Sequence, residues 1–139
     1  MSRKATRGRS FMDDKELVRL ASEALLHAYA PYSKFRVGAC AVTPGGQVYC
    51  GCNVENASLG LTICAERSAI FAAVAGGHSR IDKVVVVSDR RRKPPLPCGA
   101  CLQVMNEFGV KTVLVGPVRG PFRTYAVRDL LPKPFKFKH

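Results

Sequence analysis

At 139 residues, 47% of them hydrophobic, the chain has the size of one domain and enough apolar side chains for a full core. It has no apolar run of membrane-spanning length, and its basic opening segment, residues 1–10, is not followed by the apolar stretch of a secretory signal. A membrane-spanning or secreted protein is therefore not expected, and a cytoplasmic one is. A net charge of +12 admits nucleic acid as a partner. The cations nevertheless gather in segments expected to be exposed: Arg3, Lys4, Arg7 and Arg9 in a tail read as disordered over residues 1–12, residues 90–93 in one loop, and Lys133, Lys136 and Lys138 at the end. Runs of that kind are usually solvated, so nucleic acid is not the expected ligand.

Asp13 or Asp14 can cap a first helix, since Leu17, Leu20, Ala21, Ala24, Leu25 and Ala28 recur at intervals of three and four before Pro31 stops the run. Residues 35–43 alternate as a strand, Pro44-Gly45-Gly46 turns the chain, and residues 47–53 return as its hairpin partner. Thr62 is the expected cap of a second helix that runs to about Ala75 and stops at Gly76-Gly77, with Cys64 and Glu66 in its first turn. Val84-Val85-Val86-Val87, within residues 83–88, is the continuous apolar run of a strand covered on both faces. A third helix over residues 98–108, closed by Gly109, leads to a short buried strand at residues 112–115, and the intervening helix makes these two strands parallel. The brief connection at residues 118–121 brings residues 122–127 back antiparallel, and residues 127–131 make a last helical turn. The expected fold is α/β, a three-layer α/β/α sandwich around a five-stranded mixed sheet.

Six cysteines without a regular disulfide spacing suit a reducing compartment. Three of them carry chemistry. Cys64-Ala65-Glu66-Arg67 is followed, 33 residues after Cys64, by Pro97-Cys98-Gly99-Ala100-Cys101, so three thiols and one carboxylate sit at two points a compact fold can join. Zinc held by three protein groups keeps its fourth position for water or substrate, whereas a structural zinc closes with four. Glu66 lies too near Cys64 to chelate beside it on a helix, yet it can reach the open position, where an acid or base is wanted. Three thiolates make zinc a poor Lewis acid unless electron density is drawn off the sulfurs. Two predicted helix N-termini, together with Arg67, can do so. A closed zinc with Cys50 or Cys52 as fourth ligand is the competing reading, and it leaves Glu66 unexplained. Otherwise Cys40, Cys50 and Cys52 read as small buried hydrophobes.

Taken with Ala30-Pro31-Tyr32-Ser33-Lys34-Phe35, Asn53-Val54-Glu55-Asn56-Ala57, and Leu130-Leu131-Pro132 followed by Phe135, these motifs resemble the small homotetrameric cytidine deaminases of the three-cysteine type, over about residues 13–135. The resemblance implies strand order 2-1-3-4-5 and one zinc ion per subunit on Cys64, Cys98 and Cys101. It also implies Glu66 as proton shuttle, Arg67 donating to the ligand sulfurs, Ala65 among the substrate contacts and Phe35 packed on the pyrimidine. Asn53 and Glu55 would hold the ribose 3'-hydroxyl, and Phe135 would enter a neighbouring subunit's site. From the residues alone, Phe35 reads equally well as core, and an Asn-x-Glu trio as ordinary loop chemistry. The implied activity is hydrolytic deamination of cytidine and deoxycytidine to uridine and deoxyuridine with release of ammonia, in pyrimidine salvage. Residues 13–139 would be the single catalytic domain, with a tail at 132–139.

Two positions depart from the resembling pattern. Leu59 stands where an aromatic residue commonly reaches a neighbour's ribose, and Leu102 follows the CxxC where arginine is usual. Three other functions compete. A blasticidin-type deaminase shares the zinc motifs, but its family lacks the glutamate corresponding to Glu55. A nucleic-acid deaminase needs a pocket open to flanking nucleotides and a stacking stripe that the sequence does not contain. A non-enzymatic zinc domain has no use for Glu66.

Overall fold

The computed structural model describes residues 12–90 and 94–137. The basic segment expected to be a tail lies outside these residues except for Met12, as do residues 91–93 of the basic loop. Ten elements follow in order: α1 (Asp14–Leu25), β1 (Val37–Val42), β2 (Val48–Cys52), a single 3-10 turn (Leu59–Leu61), α2 (Ala65–Ala75), β3 (Lys83–Ser88), α3 (Gly99–Glu107), β4 (Thr112–Pro117), β5 (Arg123–Ala126) and the short α4 (Val127–Leu130). One five-stranded sheet runs in the order β2-β1-β3-β4-β5, with β3 and β4 parallel and the other neighbours antiparallel. This is the expected order, and helices cover both faces.

The valine run shows why the sheet is two-sided. Val84 and Val86 pack into one core cluster with Ala69, Ile70 and Met105, while Val85 and Val87 pack into the other with Leu17, Leu20 and Leu25 of α1. All four are fully buried. Each such side chain contributes about 1.5–3 kcal/mol of hydrophobic transfer, so the central strand alone anchors both layers.

Two glycines set how closely the helices approach. A Cβ on Gly38 of β1 would stand 2.0 Å from the Ala21 carbonyl oxygen of α1, and one on Gly51 of β2 would stand 2.5 Å from the Ala69 amide of α2. Because β2 carries α2 so tightly, the start of that helix is held against the end of the hairpin. Gly38→Ala is expected to destabilise the protein by about 3 kcal/mol, since the obstructing Ala21 carbonyl and Leu25 amide are both backbone of α1, which cannot retreat without unpacking its layer. Urea unfolding at fixed zinc content reads this directly, and an unchanged midpoint would mean that α1 is not seated as described.

The first two helices differ from expectation. α1 stops at Leu25 instead of continuing through Ala28 toward Pro31. The cause lies downstream: Tyr29 donates its amide to the Asn53 carbonyl and accepts from the Glu55 amide, which pulls the chain into an extended bridge. α2 is capped by Cys64, not by Thr62. Ile63 exchanges both backbone hydrogen bonds with Val54, at 3.0 and 2.9 Å, so the helix cannot begin before Cys64. No helix among the described residues is long and apolar enough to cross a membrane.

Candidate active site

The Val54 bridges to Tyr29 and Ile63 fasten the end of β2 to the residue before Cys64. Cys64 is thereby set beside Asn53, at the N-terminus of α2. Across from it, Cys98 is the N-cap of α3, and Cys101 lies in that helix's first turn. Neither capping cysteine uses its sulfur to cap a backbone amide of its own helix, so both sulfurs can face each other, and the helices' first amides add positive potential there.

Three sulfurs converge. The Sγ atoms of Cys64, Cys98 and Cys101 lie within 4.8 Å of one another, with Cys64 and Cys98 at 3.9 Å. A tetrahedral zinc with Zn–S bonds of about 2.3 Å needs sulfurs about 3.8 Å apart, so the set fits that ion. Cys50 and Cys52 are not part of the cluster: both are buried, and Cys50 faces Cys40 across the β1–β2 ladder with their sulfurs 3.1 Å apart. The closed four-cysteine alternative is therefore not what the fold assembles.

The thiol cluster already holds negative charge. Cys64 is pushed down to about 5, chiefly by its hydrogen bond with Cys101 and then by Arg67, whose guanidinium donates to Sγ at 3.3 Å. Cys101 is driven up by the same shared bond and by burial. Burial of the Arg67 side chain works against its charge, yet its contacts with the Cys64 and Cys101 sulfurs outweigh that and hold it firmly protonated. Arg67 Nε, buried without a hydrogen-bond partner, lies beside these thiols.

Glu66 follows Cys64 by two residues on α2 and is only 5% exposed. Burial raises its carboxyl to about 7, repulsion from the Cys64 thiolate adds to that, and Arg67 partly offsets it. A carboxyl there can hold or release a proton near neutral pH. It opens on a cavity of about 160 Å³ lined by Phe35, Asn53, Ala65, Cys64 and Cys98. Val37, Thr62, Pro95 and Leu96 also line it and are not among the expected site residues. Pro95 and Leu96 could have been suspected from their place just before the CxxC; Thr62 was mistaken for a helix cap.

The other expected site residues are distributed differently. Glu55 does not line this cavity. Its carboxylate accepts the Tyr32 and Ser33 amides at 2.9 and 3.1 Å and the Ser33 hydroxyl, and that hydroxyl is the main reason it stays below the usual carboxylate range. Asn53 does line it, but its amide also ties down the entry to β1, accepting from Val37 N at 2.9 Å and donating to Phe35 O at 2.8 Å. Phe135 is 72% exposed and away from the cavity of its own chain, with its backbone held by a reciprocal pair of bonds to the Gln103 side chain. Leu59 is exposed, and Leu102 is buried in the core.

The sequence pattern of the cytidine and deoxycytidylate deaminase zinc-binding region matches residues 12–117, which include all three clustered cysteines and Glu66. The chain belongs to this family of zinc-binding deaminases. Cytidine deaminase of Halalkalibacterium halodurans is 44% identical over 126 residues, covering 89% of this chain and 95% of the relative. The crystal structure of cytidine deaminase from Burkholderia pseudomallei superposes with a TM-score of 0.84 at 45% identity, over 89% of this chain and 100% of that one. That of the Mycobacterium tuberculosis cytidine deaminase gives 0.77 at 39% identity, over 91% and 99%. In this deaminase the three-thiol cluster forms a candidate metal site whose geometry is consistent with one zinc ion.

Proposed function

We propose that this deaminase hydrolyses cytidine and deoxycytidine to uridine and deoxyuridine, releasing ammonia. The observation that carries the reading is the buried Glu66 carboxyl opening on a small cavity immediately beside three convergent thiols. Zinc, when bound, supplies the Lewis acid that brings water's pKa from 15.7 down to about 7. Glu66 takes one proton of the attacking water and gives it to N3 as C4 becomes tetrahedral, then takes the second from the new C4 hydroxyl and delivers it to the departing amine as the carbonyl forms. Water and the amino group are exchanged for a carbonyl oxygen and ammonia, and Glu66 ends as it began. Arg67 keeps the sulfurs from overloading the ion with negative charge. The cavity's apolar lining, Phe35, Ala65 and Leu96, accepts a flat pyrimidine and excludes bulk water.

The ribose reading rests on spare hydrogen-bonding capacity. Asn53 retains one N–H and one lone pair, and Glu55 retains a lone pair, after the bonds described above. A 3'-hydroxyl can donate to Glu55, whereas a 3'-phosphate would meet its charge, which favours free nucleosides over polynucleotides. A homotetramer completes the scheme, with the exposed Phe135 ring covering the base in a neighbouring subunit, and the setting is cytoplasmic pyrimidine salvage. Removing residues 133–139 is expected to raise KM for cytidine about tenfold while circular dichroism stays that of a folded subunit. An unchanged KM would leave Phe135 an ordinary tail residue.

The test of the function is direct. Purified protein is incubated with cytidine, deoxycytidine, blasticidin S and a cytosine-containing oligonucleotide, with ammonia release and zinc content followed together. Turnover of the first two alone is the expected result. Turnover confined to blasticidin S or to the oligonucleotide would overturn it.

A further inference from the structure

The wall of the cavity that carries Phe35 is not stiff by itself. Lys34 adopts φ 59°, a left-handed conformation unfavourable for a lysine, and Phe35 follows it ahead of β1. Such a turn keeps its shape only if neighbours hold it. From within the segment, the Ser33 hydroxyl accepts the Phe35 amide at 3.0 Å. From outside, the end of β3 holds it at successive points. Val37 pairs with Ser88, Asp89 donates its amide to the Arg36 carbonyl at 3.1 Å, and the Arg36 guanidinium donates to the Asp89 carboxylate at 3.2 Å.

Arg90 completes this lacing. Its guanidinium donates to the Ser33 carbonyl at 3.1 Å, and its Cζ lies over the Phe35 ring, 4.8 Å from the centroid. The Ser88 hydroxyl in turn donates to the Arg90 carbonyl at 3.2 Å, fixing the backbone from which the side chain reaches. No carboxylate pairs with Arg90 among the described residues. Its charge is therefore directed at the face of an aromatic ring and at a carbonyl, the two acceptors that suit a planar guanidinium. Ser33 also donates to Glu55, so Arg90 is joined through Ser33 to the segment that holds the Glu55 carboxylate as well as to the aromatic wall.

We propose that Arg90 is a positioning residue for the nucleoside, acting through Phe35: it holds the ring in the orientation that packs against the pyrimidine and closes the turn at Ser33. This rests on the reading of the cavity as a pyrimidine nucleoside site. The consequence falls on binding and not on the proton transfers, since Glu66 and the thiols are held by different elements, α2 and α3.

The experiment combines kinetics with a signal that needs no substrate. Arg90→Ala is expected to raise KM for cytidine about fivefold to tenfold with kcat within about twofold of wild type, at unchanged zinc content and thermal midpoint. Arg90→Lys recovers part of the loss, because a cation over the ring is kept while the planar fork is not. In a Phe35→Leu background the same Arg90→Ala change shifts KM less than about twofold, since the ring it acts through is gone. In substrate-free protein, the Phe35 ring resonances, assigned by their loss in Phe35→Leu, move on Arg90→Ala. An unmoved ring signal, an unchanged KM, or a KM effect that multiplies in full on Phe35→Leu each overturns the proposal. Absence of cytidine turnover by the wild-type protein would instead defeat the functional reading, and the ring signal would still decide the contact.

Discussion

Replacing Glu66 by glutamine is expected to lower kcat for cytidine at least about a thousandfold while leaving one zinc per chain. Positioned acid–base groups contribute about 10²- to 10⁴-fold, and Glu66 serves more than one proton transfer, so the upper part of that range applies. Glutamine keeps the size and hydrogen-bonding outline of the side chain but cannot carry the proton between water, N3 and the leaving amine. The substitution is mild for the fold, because burial already holds this carboxyl at about 7, against the charged form. Zinc content by atomic absorption, measured on the samples used for kinetics, separates proton transfer from metal binding. A Glu66→Gln protein that loses its zinc, or that turns over within tenfold of wild type, would contradict the role given to this residue.

Cys98→Ala is expected to abolish zinc binding and turnover together. Cys98 is the most exposed of the three cluster thiols, so alanine there leaves no buried cavity and the subunit should still fold. Its sulfur nevertheless occupies one corner of a set that spans only 4.8 Å, and two cysteines cannot hold the ion against water as three do. The thermal midpoint should fall to that of chelator-treated wild type and no further, since zinc stabilises only the state that binds it. Cys50→Ala is the matching control: it removes a buried thiol outside the cluster and should retain zinc. Equal zinc loss from both variants would mean that metal is lost through unfolding and not through a missing ligand.

Much of the site was legible because it depends on short stretches. The pairing of Cys64 with Glu66, and of Cys98 with Cys101, reflects local spacing at two helix starts, and helices capped by cysteine put those residues in their first turns whatever surrounds them. The valine run and the brief connection before β5 likewise announced a covered central strand and an antiparallel edge. The misplaced boundaries had distant causes. α1 was expected to run on because nothing in its own sequence reveals that Tyr29 pairs with Asn53 and Glu55, and Thr62 looked like a cap because the Ile63–Val54 bridge is invisible without the fold.

Sequence alone determined the candidate reactive groups, the order of elements and the kind of ion three thiols would hold, since each follows from residue type and near-neighbour spacing. Tertiary structure decided which groups meet. It brought Cys64 within 3.9 Å of Cys98 across 34 residues, with α2, the helix that Cys64 caps, seated closely on Gly51. It gave most of the Glu55 carboxylate to Tyr32 and Ser33, and laid Arg90 over Phe35. The physical reason is the same in each case: contacts between residues far apart in the chain depend on how closely layers pack and on which polar groups remain unpaired, and neither is written in any local pattern.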